Sequence, residues 1–275
     1  MSVSSSLDAA AFIRHSRSIM VWGETSQLTL RSKKVLLLGL GGLGSHVALA
    51  LSAAGVGQLI LVDDDKVELS NLPRQTLYQQ SDIGQLKVEA CQRALQARNP
   101  QTRLTTYTQR PTSAQLQQWA QPCDLLLDCS DNLPTRLLLN LVARQLQRPL
   151  FAAAISARQA QLYLLSQQQA CYRCLTGDLT STAQNCAALG VHPVLAALTA
   201  QQLAFFSLQY LLGEAVPLDQ VALWQHQHFE FYPLGRDASC PVCADDQSAA
   251  IGHGVAHYHQ VPPSELNLPT CKEPS

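Results

Sequence analysis

The sequence predicts an α/β fold: a doubly wound, mostly parallel sheet with a mixed C-terminal part. Three observations carry that prediction. Short continuous apolar runs such as Val35-Leu36-Leu37-Leu38 and Leu59-Ile60-Leu61-Val62 lack polar alternation, as strands covered by helices on both faces do. Helix-length segments alternate with those runs. A glycine-rich turn joins the first run to the helical segment after it.

Taken in order, residues 1–32 read as one or two short helices, with the basic cluster Arg14-His15-Ser16-Arg17 between apolar neighbours and a helix ending near Leu30. Residues 34–39 form the first strand. The small and apolar residues 43–54 suit a helix that Gly55 and Gly57 end, and residues 58–63 form the second strand, completing a βαβ unit. The alternation continues with a helix at about 85–98, a strand near 102–107, a helix near 112–120, a strand at 124–128 and a helix at about 134–146. Residues 149–154 and 159–165 read as two further strands, by which point the sheet is mixed. A polar, cysteine-bearing loop follows at 167–192. Residues 194–212 are apolar and long enough to reach across a bilayer, but Gln201, Gln202 and Gln209 point to a core or dimer-interface helix. Two short strands near 220–232 precede Cys240 and Cys243. Residues 247–275, with little periodicity and several prolines and histidines, read as a disordered tail. The expected organisation is one domain over 1–246, with a nucleotide-binding half at about 33–150 and a second half at about 151–246.

Composition sets bounds on function. The chain has 275 residues, an apolar share of 47% and a formal charge of -1, which gives no strongly basic face for nucleic acid or an anionic membrane. The first residues show no signal pattern, and a cytoplasmic location is expected. Nine cysteines, an odd count, argue for metal binding or thiol chemistry over a disulfide framework.

The chemistry starts at Gly39-Leu40-Gly41-Gly42-Leu43-Gly44. Glycines at 39, 41, 42 and 44 allow a tight turn and close backbone approach, and the following helix offers free N–H groups and a positive dipole end to a phosphate. Asp63, at the end of the second strand, suits ribose hydroxyls. This much is shared by NAD and ATP sites. Farther on, Asn71-Leu72-Pro73-Arg74-Gln75, Lys87 and Asp128-Cys129-Ser130-Asp131-Asn132 fall just after strands or at helix starts. A triphosphate with a metal ion needs two extra cations and a carboxylate there, whereas a dinucleotide has little use for them. Arg74 and Lys87 suit phosphate oxygens and Asp131 suits Mg²⁺. The plain alternatives are a solvated Lys87, a helix-capping Asp131 and a surface Arg74.

Cys171-Tyr172-Arg173-Cys174 and Cys240-Pro241-Val242-Cys243 supply four thiolates at the spacing of tetrahedral Zn²⁺. With all four used no ligand position stays open, so the zinc is structural. Cys91, Cys123 and Cys129 sit in apolar contexts and read as core, whereas Cys186 lies in the polar stretch Ala183-Gln184-Asn185-Cys186, where it is either a functional thiol or an ordinary loop cysteine.

These motifs, in this order and spacing, resemble the ThiF/MoeB/HesA family of ubiquitin-activating-like adenylyltransferases over about residues 10–245. Asp63-Asp64-Asp65 and Asn185-Cys186 look more like the ThiF branch, which belongs to thiamine biosynthesis, than the MoeB branch. The resemblance implies a homodimer in which Arg17 reaches into the partner's ATP site. It further implies that Gly39, Gly41, Gly42, Gly44, Asp63, Asp65, Asn71, Arg74, Gln75, Lys87, Asp131 and Asn132 hold ATP and its Mg²⁺. The implied substrate is the C-terminal Gly-Gly of a ubiquitin-fold sulfur carrier protein, which the second half of the chain would bind. A molybdopterin synthase small subunit is the MoeB-like alternative. A terminal carboxylate is already ionised at neutral pH, so no general base is required, in keeping with the absence of an evident His or Ser triad. In ThiF-like proteins a cysteine in the slot of Cys186 is linked covalently to the carrier during sulfur transfer. Sulfur is expected from a separate donor. An NAD-dependent oxidoreductase and a non-catalytic relative that keeps the fold are the competing classes.

Overall fold

The computed structural model describes residues 6–176 and 190–244; Cys186 and residues 247–275 lie outside them. The first helix, α1 (Ala9–Ser32), starts at Asp8, whose side chain accepts from the amide of Ala11 at 2.8 Å. Gly23, at φ 83° and ψ 163°, breaks α1 into two segments. No atom would crowd a side chain there, so the glycine is needed for its backbone angle alone. The segments fold back on each other: Arg31 lies 3.4 Å from Asp8, and Trp22 Nε1 donates to Gln27 Oε1 at 3.1 Å. The sequence reading of one or two helices thus resolves as a kinked pair.

The sheet runs in the order β3-β2-β1-β4-β5-β6-β7-β8. Its parallel part comprises β1 (Lys34–Leu38), β2 (Gln58–Val62), β3 (Arg103–Tyr107), β4 (Leu125–Asp128) and β5 (Leu150–Ser156). The antiparallel part adds β6 (Gln159–Leu165), β7 (Gln220–Gln225) and β8 (His228–Pro233). Every expected strand is present, and the change to antiparallel pairing falls after β5, as the mixed C-terminal part anticipates. Residues along the central strands divide between two layers. Val35 and Leu37 pack in a core with helices α2 (Gly44–Ala54), α3 (Lys87–Arg98) and α7 (Pro193–Leu212). Leu36 and Leu38 face the other core, with α4 (Ser113–Ala120) and α5 (Leu133–Gln145).

Two details differ from the sequence reading. The polar loop after β6 contains a short helix, α6 (Tyr172–Thr176), which carries Cys174 against Cys171. Asp131 does not cap α5; Asn132 does, its Oδ1 accepting from Thr135 N at 3.0 Å. The apolar helix α7 meets a membrane span's length and composition, yet half of that span is buried in the fold, where Leu203, Ala204 and Phe206 join the core. On α7 Val194, Leu198 and Phe205 are exposed, as are Phe12, Ile13, Met20 and Val21 of α1.

Candidate active site

In the sheet, β1 lies between β2 and β4, so the chain leaves β1 toward one side and β4 toward the other. That point of divergence opens a crevice at the carboxyl ends of the strands. The glycine turn fills its floor. Gly39 has φ 89°, its amide donates to Val62 O at 2.8 Å, and a Cβ on it would sit 2.7 Å from the Cys129 carbonyl. A Cβ on Gly44 would lie 1.8 Å from Gly39 O. These two glycines are demanded by the turn itself and by its contact with the end of β4. Gly41 and Gly42 are different. The nearest atom to a Cβ on Gly41 is Gln75 Nε2 at 3.7 Å, and a Cβ on Gly42 would meet the Arg74 side chain, 3.4 Å from its Cγ and Cδ.

Asp63 ties the turn to the loop after β2. One carboxylate oxygen accepts from Leu40 N at 2.6 Å and the other from Asp65 N at 2.9 Å. Burial pushes its pKa up, while the nearby Lys87 ammonium and these two amides hold the charged form. Lys87 Nζ donates to Asp65 Oδ2 at 2.8 Å, with the lysine side chain 8% exposed and the aspartate 57%. Lys87 is therefore no solvated helix residue. It is a buried cation aimed at a carboxylate that opens to the crevice. Tyr78, buried, donates its hydroxyl to Leu40 O at 2.8 Å and fixes the turn from behind.

Two short 3-10 turns, Leu69–Asn71 and Gln80–Asp82, shape the intervening loop. Asn71 Oδ1 accepts from Glu68 N at 3.3 Å, and the amides of Arg74 and Gln75 both donate to Asn71 O. Arg74 Nη1 donates to Ser70 O at 2.9 Å, and its own carbonyl lies 3.1 Å from His46 Nε2 on the first turn of α2. Gln75 is buried, and its Oε1 has no hydrogen-bond partner among the described residues.

Across the crevice, Asp128 Oδ1 accepts from Ser130 N at 2.9 Å and Ser130 Oγ at 2.6 Å. Asp131 follows, exposed and without a hydrogen bond or ion pair among the described residues. Asn132, also expected to hold nucleotide, spends its side-chain oxygen on the helix cap. Arg17 is exposed on α1, whose docking lies elsewhere. His15 and Gln27 press on Gly55 at the C-terminal end of α2, and Arg14 donates to Arg98 O at the end of α3. The glycine turn lies at the other end of α2. The structure thus gathers the glycine turn, Asp63, Asp65 and Lys87 by direct contact, with Arg74 and Gln75 against the turn, and leaves the same chain's Arg17 apart from them.

The four cysteines of the paired motifs come together: Cys171, Cys174, Cys240 and Cys243 offer sulfurs all within 4.8 Å of one another. Measured separations are 3.7 Å for Cys171–Cys240, 3.3 Å for Cys174–Cys243 and 4.0 Å for Cys171–Cys174. Tetrahedral Zn²⁺ with Zn–S bonds of about 2.3 Å would set them about 3.8 Å apart, so the donor set fits. The neighbouring Cys174 thiol, together with burial, pushes Cys171 up to about 12, and burial pushes Cys243 up to about 11. Only a bound cation makes four thiolates favourable there. Cys91, Cys123 and Cys129 are buried core residues, as the sequence suggests.

Sequence reasoning missed Arg136 and Asn140 on α5. Both are buried, Arg136 with 6% of its surface exposed and Asn140 with none. Arg136 Nη2 donates to Ser130 O at 2.5 Å and Ala153 O at 2.6 Å. The available signal was an arginine and an asparagine four apart on the apolar face of a helix beginning at the Asp131 motif.

Residues 15–242 match the family described as the ThiF family. The sulfur carrier protein ThiS adenylyltransferase of Escherichia coli (strain K12) is 37% identical over 247 residues, spanning 87% of this chain and 98% of that protein. The molybdopterin-synthase adenylyltransferase of the same organism is 33% identical over 238 residues, spanning 84% of this chain and 96% of that protein. The crystal structure of E. coli MccB aligns with a TM-score of 0.73 at 22% identity, covering 89% of this chain and 75% of that one, which establishes a common fold.

Proposed function

The chain belongs to the ThiF family and is an adenylyltransferase, and from that premise we propose that it activates the C-terminal Gly-Gly carboxylate of a ubiquitin-fold, ThiS-like sulfur carrier in thiamine thiazole biosynthesis. The carrier carboxylate attacks the α-phosphorus of ATP. A carboxyl-oxygen-to-phosphorus bond forms, the bond from that phosphorus to the α–β bridging oxygen breaks, and pyrophosphate leaves with the electron pair.

One observation carries this reading. Lys87, buried against Asp65, and Arg74, laid over Gly42, flank the same glycine turn. Two cations beside a phosphate-binding helix start suit a triphosphate and the charge that builds on its leaving group. Asp63 and Asp65 take the ribose side, and Asn71, Gln75 and Asn132 line the nucleotide. Asp131 would hold Mg²⁺, which would supply further neutralisation of phosphate charge. Zn²⁺ on the four cysteines is structural. Cys186, which lies outside the described residues, is assigned to carrier linkage.

The enzyme works as a homodimer. The exposed apolar residues of α1 and α7 form the contact, and Arg17 acts in the partner's site. The sulfur donor is a separate protein. Pyrophosphate exchange into ATP, measured with purified carriers, tests the proposal: an active preparation that shows no exchange with any Gly-Gly-ended carrier overturns it. The 33% identity to a molybdopterin-synthase adenylyltransferase favours one second reading, activation of a molybdopterin synthase small subunit. Relative exchange rates with the two carriers decide between them, and Cys186→Ala impairs sulfur transfer in the ThiS-like case alone.

A further inference from the structure

The buried face of α5 carries a device that no step above uses. Arg136 and Asn140 are four residues apart, one above the other on the helix. A single nitrogen of Arg136 bridges two carbonyls from neighbouring strands: Ser130 O, just past β4, and Ala153 O, in the middle of β5. Ser130 is then held on three sides, its amide and hydroxyl by Asp128 and its carbonyl by Arg136. The next residue is Asp131, whose side chain makes no bond among the described residues. The backbone is fastened while the carboxylate stays open, which is how a ligand-holding group is preorganised.

Asn140 extends the same face toward the cysteine cluster. Its Oδ1 accepts from Tyr172 N at 2.9 Å, and the Tyr172 ring stands 5.8 Å from the Arg136 guanidinium carbon. Tyr172 directly follows Cys171. Packing alone would not select these residues. Arg136 makes no ion pair among the described residues, although the nearby Asp128 charge favours its cation, and its Nη1 has no hydrogen-bond partner among them; the Asn140 side chain also hydrogen-bonds the Cys171 thiol. An apolar residue of similar volume would fill the space at lower cost.

We infer that Arg136 and Asn140 are positioning residues for the adenylation site: they clamp the Ser130–Asp131 backbone to β5 and to the cysteine module, so that the Asp131 carboxylate is in place before nucleotide arrives. The clamp rests on the adenylation reading for its purpose but not for its existence. Lysine at 136 keeps the charge but replaces the planar Nη2 amino group, whose two N–H bonds serve the two carbonyls, with a rotating ammonium on a shorter stem, so Arg136→Lys separates charge from geometry.

The test uses the full chain, with two readouts. Amide hydrogen exchange over residues 129–133, without ligand, is faster by about tenfold in R136K, and faster to a lesser degree in N140A. In carrier-dependent pyrophosphate exchange, R136K lowers kcat about tenfold and raises the Mg²⁺ concentration for half-maximal rate, while KM for ATP moves less than about twofold. Variants that melt at a lower temperature yet keep wild-type loop exchange and Mg²⁺ dependence would falsify the clamp. Asn140→Ala carries the same comparison if R136K fails to fold. If no carrier supports exchange in the wild type, the adenylation reading fails, and hydrogen exchange alone still decides the clamp.

Discussion

Lys87 and Asp65 meet twice: the lysine ammonium donates to the aspartate carboxylate at 2.8 Å, and the lysine amide donates to the aspartate carbonyl at 2.9 Å. The backbone bond survives truncation of either side chain, and the ion pair opens to solvent on the aspartate side. Lys87→Ala should therefore cost about 1 kcal/mol of stability or less. If Lys87 neutralises phosphate charge, the same change lowers kcat/KM about a hundredfold or more. Thermal melts beside exchange kinetics check the contrast, and a matched small loss in both would remove Lys87 from the chemistry.

Gly41 and Gly44 should part company in the same way. Alanine at 44 would put Cβ 1.8 Å from Gly39 O and distort the turn, at a cost of about 3 kcal/mol or more. Alanine at 41 meets nothing closer than 3.7 Å, so its melting temperature stays near wild type. If phosphate approaches that backbone closely, G41A weakens ATP binding about tenfold or more, as calorimetry would register.

His15 predicts a pH effect. Burial, with the charges of Arg14 and Arg31, holds its pKa below the ordinary 6.5. Above 6.5 the ring is neutral in folded and unfolded chains alike. As pH falls below 6.5, the unfolded chain takes up a proton that the folded chain refuses, so stability declines until the pH passes the lowered folded value. His15→Gln should narrow the difference in melting temperature between pH 7.5 and pH 5.5. An unchanged difference would show that His15 is not the group responsible.

The cysteine cluster should bind one Zn²⁺ per chain by elemental analysis, since four sulfurs lie within 4.8 Å. Chelation, or Cys240→Ser, should lower the melting temperature by several degrees, because α6 and the chain after β8 meet chiefly through these sulfurs. A stoichiometry of zero in protein purified without chelator would dismiss the metal.

Complementation addresses the shared site. Arg17→Ala and Lys87→Ala proteins, each inactive alone, should recover about a quarter of wild-type activity when mixed and allowed to exchange subunits, since half the dimers then hold one complete site. No recovery after verified exchange would mean that Arg17 does not act across the interface.

Much of this was legible in the chain. Buried parallel strands announce themselves as unbroken apolar runs, and β1, β2, β4 and β5 stand where those runs stand, whereas the edge strand β3 is polar and only partly buried. The four cysteines declared their cluster by spacing alone. What escaped was set by distant partners. Nothing local marks Arg136 as the bridge between Ser130 and Ala153, because Ala153 becomes its neighbour only when β5 pairs with β4. The cap of α5 escaped by one residue, since Asp131 and Asn132 are both good caps and only the backbone path chooses Asn132. The fold of α1 on itself hung on the angle at Gly23, a glycine with no turn partner beside it in the sequence.

The strand order also fixes a sequence of events in folding. β7 and β8 join through a tight turn at His226 and Gln227, and such a hairpin closes within microseconds. β1 must find β4 across 90 residues, with Val35 opposite Leu125, and that loop closure comes late. The crevice exists only once those two strands are side by side. If ATP binds in that crevice as proposed, a partly folded chain has no site for it, so ATP would stabilise the finished fold and would not trap an intermediate short of it.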